Sequence, residues 1–191
     1  MKRIGITGGI GSGKSFVCSI FLDYNFKIFN SDYEAKKIIN NNQKIKKLIT
    51  NQFGDLSYIN GKINTSYISD IVFTENKKLG QINKIIHPEV FISYQNFLIK
   101  NKNFNTVYES ALLFDYENFK INDYNILITC PKKLRIKRII TRDNIKHEDV
   151  EKKINSQIDY DKKKYLADFH IQNIEMLSTK KIVIEFIEKF F

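Results

Sequence analysis

Eight residues near the amino end, Gly8-Gly9-Ile10-Gly11-Ser12-Gly13-Lys14-Ser15, restrict what this chain can fold into more than any other stretch. They fit a glycine, four residues, then Gly-Lys-Ser, a pattern whose glycines let successive N–H groups point at a polyphosphate. The flanks supply what such a turn needs. Ahead of it, Arg3-Ile4-Gly5-Ile6-Thr7 suits a buried parallel strand; behind it, Phe16, Val17, Ile20 and Phe21 recur at helical spacing. The phosphates would lie on a helix N-terminus, where the macrodipole favours negative charge. Lys14 is expected to reach the β- and γ-phosphates and the Ser15 hydroxyl to hold Mg2+. The alternative is a glycine-rich turn with no ligand, and the flanking strand and helix favour the nucleotide.

With 191 residues, the chain suits one α/β unit with insertions better than two independent domains. Its net charge of +10 invites a nucleic-acid or acidic-membrane reading. Lysine is spread along the whole length, however, so a solvated lysine-rich surface explains the charge without a basic binding face. Cys18 and Cys130 each sit in an apolar segment, which suits buried reduced thiols. The chain starts directly in its first strand and nowhere holds eighteen apolar residues in a row, so a cytoplasmic setting is expected.

Phe26-Lys27-Ile28-Phe29-Asn30 reads as a second strand passing into a helix at Ser31-Asp32. Asp32 then stands at the carboxyl end of a parallel strand, the edge where ligands bind in such sheets. It is either a base for an attacking alcohol or a helix N-cap, and position alone does not separate the two. Residues 40–105 contain no persuasive central strand. Helices are expected over 46–53, 66–73 and 77–100, the last carrying a broad apolar stripe interrupted by His87-Pro88, where proline kinks the helix; Phe53-Gly54-Asp55 and Asn60-Gly61 are turn signals. Taken alone, His87 suits a structural or capping role better than a ligand contact. Phe104 to Glu109 is the third strand, ending in an acid that could orient Mg2+-bound water. Tyr124 to Thr129 is the fourth, Pro131 opens a helix, Phe169 to Asn173 is a short fifth strand, and a last helix packs back on the sheet.

Three of the four arginines, Arg135, Arg138 and Arg142, follow Pro131 at spacings of three and four, along one helical face. A lysine-biased chain that still uses arginine here suggests a need for planar, multi-donor forks, as in gripping phosphate. The alternative is an exposed helix paired with Asp143. The charged stretch 144–164 reads as a predominantly helical lid, or as a solvated face.

Together these pieces resemble the dephospho-coenzyme A kinase family over essentially the whole chain. The resemblance is carried by the opening strand and loop, Asn30-Ser31-Asp32, Gly61 to Phe73, Ile85-Ile86-His87-Pro88, Glu109 to Asp115, Arg138, Arg142-Asp143, Val150, Gln157 and Ala167 to Asn173. The chain differs from the family pattern at Asn30 for an aspartate, Lys36 and Thr65 for arginines, Phe16 for a small hydroxyl residue, Ala111 for proline, and Asn173-Ile174-Glu175 for an Asn-Gly ending. The resemblance implies a P-loop nucleotide-kinase-like three-layer α/β fold with a five-stranded parallel sheet in the order 2-3-1-4-5. It implies one domain over 1–191, with a core (about 1–30, 104–140 and 166–191), a helical substrate-binding insertion (about 31–103) and a helical lid (about 141–165). It implies transfer of the ATP γ-phosphoryl group to the ribose 3′-hydroxyl of dephospho-coenzyme A. A related nucleoside or nucleotide kinase is the alternative, and a nucleotide-gated binding or switch protein is an alternative of another class.

By that resemblance Asp32, Lys14, Arg138 and Arg142 are the expected catalytic residues. ATP is expected on Gly9, Gly11, Ser12, Gly13, Lys14, Ser15, Phe16, Arg142 and Asn173. The second substrate is expected on Asp32, Lys36, His87 and Leu113, and Mg2+ on Ser15 and, through water, Glu109. The expected partners are the two small molecules, without nucleic acid or membrane, in a monomer or weak homo-oligomer.

Overall fold

The computed structural model describes residues 1–74, 76–115, 117–157, 160 and 163–191. The chain divides into two compact units, one of residues 1–30 and 101–191, the other Ser31–Lys100.

The first unit is built on five parallel strands, β1 (Arg3–Thr7), β2 (Lys27–Asn30), β5 (Thr106–Glu109), β6 (Tyr124–Thr129) and β7 (Phe169–Gln172), in the order β2-β5-β1-β6-β7. The labels differ from a count of five because β3 and β4, described below, fall between β2 and β5 in the chain. These strands were readable because parallel strands buried on both faces appear as short continuous apolar runs. One face carries Ile4, Ile6, Val107, Ile126, Ile128 and Ile171. They pack with Val17, Ile20 and Phe21 of helix α1 (Lys14–Asp23) and Val183, Phe186 and Ile187 of helix α8 (Met176–Phe190). Phe21 is fully buried between Phe26 and Phe186, both edge-on to it. Truncating it to alanine would cost about 3–5 kcal/mol. Ile182, on the same helix, is 45% exposed. Helices α6 (Lys132–Asp143) and α7 (His147–Asn155) bury Ile136, Ile139, Val150 and Ile154 against one another, with Ile10 of the glycine-rich loop packed on them.

The helical expectation for 144–164 is corrected in part. Among the described residues of this stretch only His147–Asn155 is α-helical, and a 3-10 turn follows at Lys164–Leu166. The α6 helix ends at Asn144 in a left-handed conformation (φ 51°), which separates it from α7. Residues 158, 159, 161 and 162 of the expected lid lie outside the described residues.

The second unit contains helices α2 (Ser31–Asn41), α3 (Gln43–Phe53), α4 (Thr65–Thr74) and α5 (Asn76–Lys100) and an antiparallel hairpin of β3 (Tyr58–Ile59) and β4 (Lys62–Ile63). The hairpin turns on Asn60 (φ 49°) and Gly61 (φ 76°), the paired positive φ values that a two-residue hairpin turn requires. The α3 helix starts earlier than its apolar spacing suggests because the Asn42 side chain accepts from the Lys44 and Ile45 N–H groups, at 3.0 and 3.2 Å. The α5 helix matches the long helical stretch expected over 77–100 and runs through Pro88 as a single element. Its buried row Ile82, Ile86, Val90 and Tyr94, spaced by four, offsets the backbone bond that proline removes. Among the described residues no helix is long and apolar enough to cross a membrane, and both cysteines are free and buried.

Candidate active site

Residues Gly8 to Ser15 leave β1 at its carboxyl end and enter α1 at Lys14. Gly13, at the helix N-cap, has φ 95°, a left-handed conformation that side chains rarely adopt. No side chain caps α1, so its first N–H groups are presented as an anion-binding end. The Ser12 hydroxyl is buried with no hydrogen-bond partner among the described residues, a further donor within the loop. These features fit a polyphosphate. The Lys14 ammonium folds back over the loop, donating to the Gly8 carbonyl at 2.8 Å and reaching that of Gly9 at 3.5 Å. Phe16 is partly buried and packs against the core cluster of α1, α8 and the sheet.

Below the loop, three side chains from separate elements meet. The Ser15 hydroxyl donates to Glu109 Oε1 at 2.9 Å, and the Asn30 amide donates to Glu109 Oε2 at 2.7 Å. Glu109 is 5% exposed, so its carboxylate is held by these two donors at the ends of β2 and β5. Asn30 thus satisfies Glu109, where a second carboxylate would repel it. Burial pushes the neighbouring Cys18 thiol well above its ordinary range, and the Glu109 charge adds to the effect, so this cysteine stays protonated. A hydroxyl and a carboxylate are the hard oxygen donors Mg2+ prefers. Among the described residues no group of three or more His, Cys, Asp or Glu could hold a metal by itself. The fit is therefore to an ion that keeps its waters and takes further oxygens from phosphate.

The arginine row on α6 divides into three tasks. Arg135 donates from Nε to the Ile10 carbonyl at 2.8 Å and from a terminal nitrogen to Gln157 Oε1 at 3.1 Å. Burial pulls its guanidinium down from its ordinary value, with Tyr160 and Cys130 opposing. Arg138 donates to the carbonyls of Asn173 and Ile174, both at 3.1 Å, and so ties α6 to the end of β7. Arg142, in the last turn, is bidentate to its neighbour Asp143 at 2.7 and 2.8 Å, which draws its guanidinium above the usual value. It stands seven residues beyond Arg135, about 10 Å along the helix. In this conformation the exposed pairing with Asp143 is realised.

Asn173, expected at the nucleotide, is 2% exposed and lies behind the loop. Its amide nitrogen donates to the Ser12 carbonyl at 2.8 Å, and its oxygen accepts from the Thr179 hydroxyl at 3.0 Å. Leu113, expected at the second substrate, is 1% exposed and fills the space over Gly5, where a Cβ would come within 2.8 Å of it. Both are held within the protein by these contacts. In the second unit, Asp32 and Lys36 are exposed and one helical turn apart on α2, on one face; His87 is partly buried in α5.

Gln157 belonged to the lid pattern in sequence without a role, and Arg135 was only one of a row. The structure brings both onto the loop. A cleft of about 440 Å³ lies beside them, lined by Gly9, Ser12, Arg135, Gln157 and His170 among others.

Comparisons with known proteins bear on the fold and the family. A Staphylococcus aureus dephospho-CoA kinase is 32% identical over 176 residues, 91% of this chain and 85% of that protein. Among solved structures, a dephospho-CoA kinase from Campylobacter jejuni is similar with a TM-score of 0.62 at 26% identity, over 98% of this chain and 96% of the other. A Thermus thermophilus protein shares the fold with a TM-score of 0.84 at 21% identity, over 100% and 98% of the two chains. The family model described as dephospho-CoA kinase matches residues 2–178, and the chain belongs to that family.

Proposed function

We propose that this kinase transfers the γ-phosphoryl group of ATP to the ribose 3′-hydroxyl of dephospho-CoA, giving CoA and ADP. The observation that carries the reading is the Gly8–Ser15 loop itself. Its uncapped helix end, the Lys14 ammonium and the Ser15–Glu109 pair converge where β1, β2 and β5 end. The arrangement is a nucleotide-kinase-like three-layer domain in which 31–103 is the helical insertion for the coenzyme precursor and 141–165 the lid.

The loop amides and Lys14 hold the phosphates, and Lys14 exchanges its carbonyl acceptors for phosphate oxygens when ATP enters. Ser15 and Glu109 would hold Mg2+, which when bound neutralises charge on the phosphate oxygens. Asp32 accepts the proton of the attacking hydroxyl, with Lys36 on the same face of α2 and His87 on α5 facing the second substrate. Arg142 leaves Asp143 to meet the phosphates, where little charge-pair energy opposes the exchange because the pair is exposed. The chemistry asked of the protein is positioning and charge stabilisation in a loose transition state.

The test is a coupled ADP-release assay with dephospho-CoA, a nucleoside and nucleotide panel, and no acceptor. Turnover that depends on dephospho-CoA supports the proposal. Preference for a nucleoside, or equal ADP release without acceptor, overturns it.

A further inference from the structure

The peptide groups of Ile10, at the apex of the phosphate loop, are held from outside the loop on both sides. Gln157 Oε1 accepts from the Ile10 N–H at 2.7 Å, and Arg135 Nε donates to the Ile10 carbonyl at 2.8 Å. The same Gln157 oxygen accepts from Arg135 at 3.1 Å, so the three residues close a ring. The Arg135 guanidinium rests on Gly9, whose Cβ, if present, would lie 2.6 Å from the guanidinium carbon. No carboxylate pairs with Arg135 among the described residues. Among the described residues its charge is matched by neutral acceptors, one of them the loop itself.

Gln157 follows α7, and the chain beyond it is tied elsewhere. The Tyr160 hydroxyl donates to the Ala111 carbonyl at 2.8 Å. The Lys163 ammonium meets the Phe114 carbonyl at 3.2 Å and Asp115 at 2.6 Å. The segment returning from α7 is thus fastened both to the phosphate loop and to the turn that follows Glu109.

We infer that Arg135 and Gln157 are positioning residues that fix the Ile10 peptide and so hold the phosphate loop in its nucleotide-binding shape before ATP arrives. A side chain that merely filled space could not satisfy both ends of one residue's peptide groups. A loop released from the ring spends part of its time in other shapes, and ATP affinity falls by the fraction lost. The inference rests on the proposed use of the loop for ATP but not on the identity of the acceptor.

The experiment uses the full chain as Arg135→Met, Gln157→Leu and the double variant. It measures ATP affinity by calorimetry without acceptor, amide exchange at Ile10 by NMR, and thermal unfolding without nucleotide. Each single variant is expected to weaken ATP binding by about fivefold to tenfold, the scale of one or two hydrogen bonds. Exchange at Ile10 should rise most in Gln157→Leu, which removes the acceptor of that N–H. The double variant should be little worse than the worse single one, because the bonds share the Gln157 oxygen. A purely structural role would lower the unfolding temperature and leave ATP affinity within twofold in the folded variants; that result overturns the inference, as does full additivity. ATP binding by the wild type without phosphorylation of dephospho-CoA would overturn the acceptor assignment alone. Failure of the wild type to bind ATP would overturn both.

Discussion

Asn173→Ala exposes how much of the phosphate loop is held from behind. The asparagine is 2% exposed, and its removal strips the Ser12 carbonyl of one donor and the Thr179 hydroxyl of its acceptor, where Thr179 is 1% exposed. A buried polar group left without a partner costs about 1–3 kcal/mol. The two together give about 2–4 kcal/mol after partial relaxation, a large share of the roughly 5–15 kcal/mol that stabilises a domain. For a chain of this size the unfolding midpoint should fall by about 6–12 °C. The loss should reach the ligand as well, since Ser12 lies within the loop. ATP affinity should therefore drop more in Asn173→Ala than in a core variant of equal stability such as Val183→Ala. Asn173→Asp separates shape from hydrogen bonding. It keeps the oxygen facing Thr179 but turns an acceptor toward the Ser12 carbonyl, so it should weaken ATP binding at least as much as alanine. Urea unfolding and calorimetry on the three variants give both quantities. A destabilisation of Asn173→Ala below about 0.5 kcal/mol, or an Asp variant with wild-type ATP affinity, would refute the claim that Asn173 holds the loop.

Other perturbations have equally definite outcomes. Asp32→Asn should lower turnover by about a hundredfold or more with ATP affinity nearly unchanged, read by ADP release and calorimetry; unchanged turnover removes Asp32 from the chemistry. Gly13→Ala places a side chain at φ 95° and against the Asn173 amide, so ATP binding should be lost along with about 1–2 kcal/mol or more of stability. Arg142→Ala should change unfolding free energy by less than about 1 kcal/mol, because its pairing with Asp143 is exposed, while turnover falls by at least tenfold. Burial pushes the Tyr58 hydroxyl up from 10.0 to about 12. Protons are bound more tightly in the folded state, so its contribution is complete below pH 10 and is lost as pH rises through about 12. The stability difference between wild type and Tyr58→Phe should stay level to pH 10 and shrink above it; a level difference to pH 12 contradicts the assignment.

The parts of the molecule that announced themselves in sequence are those with local signatures. The loop is eight contiguous residues, and β6 was bounded correctly because Ile126, Leu127 and Ile128 form one apolar run. The hairpin escaped because each strand is two residues long, too short to alternate, although its Asn60-Gly61 turn was legible. At the site, Lys14, Ser15 and Glu109 were readable from strand ends, and their meeting follows from parallel topology. The supports were not. Arg135 reaches Ile10 across 125 residues, Gln157 across 147, and Asn173 reaches Ser12 across 161. Bonds from a single side chain to a distant backbone leave no periodicity to read.

The most direct measurement is the position of the new phosphate in the product formed from ATP and dephospho-CoA. A loop gripping the triphosphate and a base on α2 predict ADP in equal amount with a single product phosphorylated at the ribose 3′-oxygen. Phosphate at another oxygen, or ADP released with inorganic phosphate and the precursor unchanged, would contradict the account.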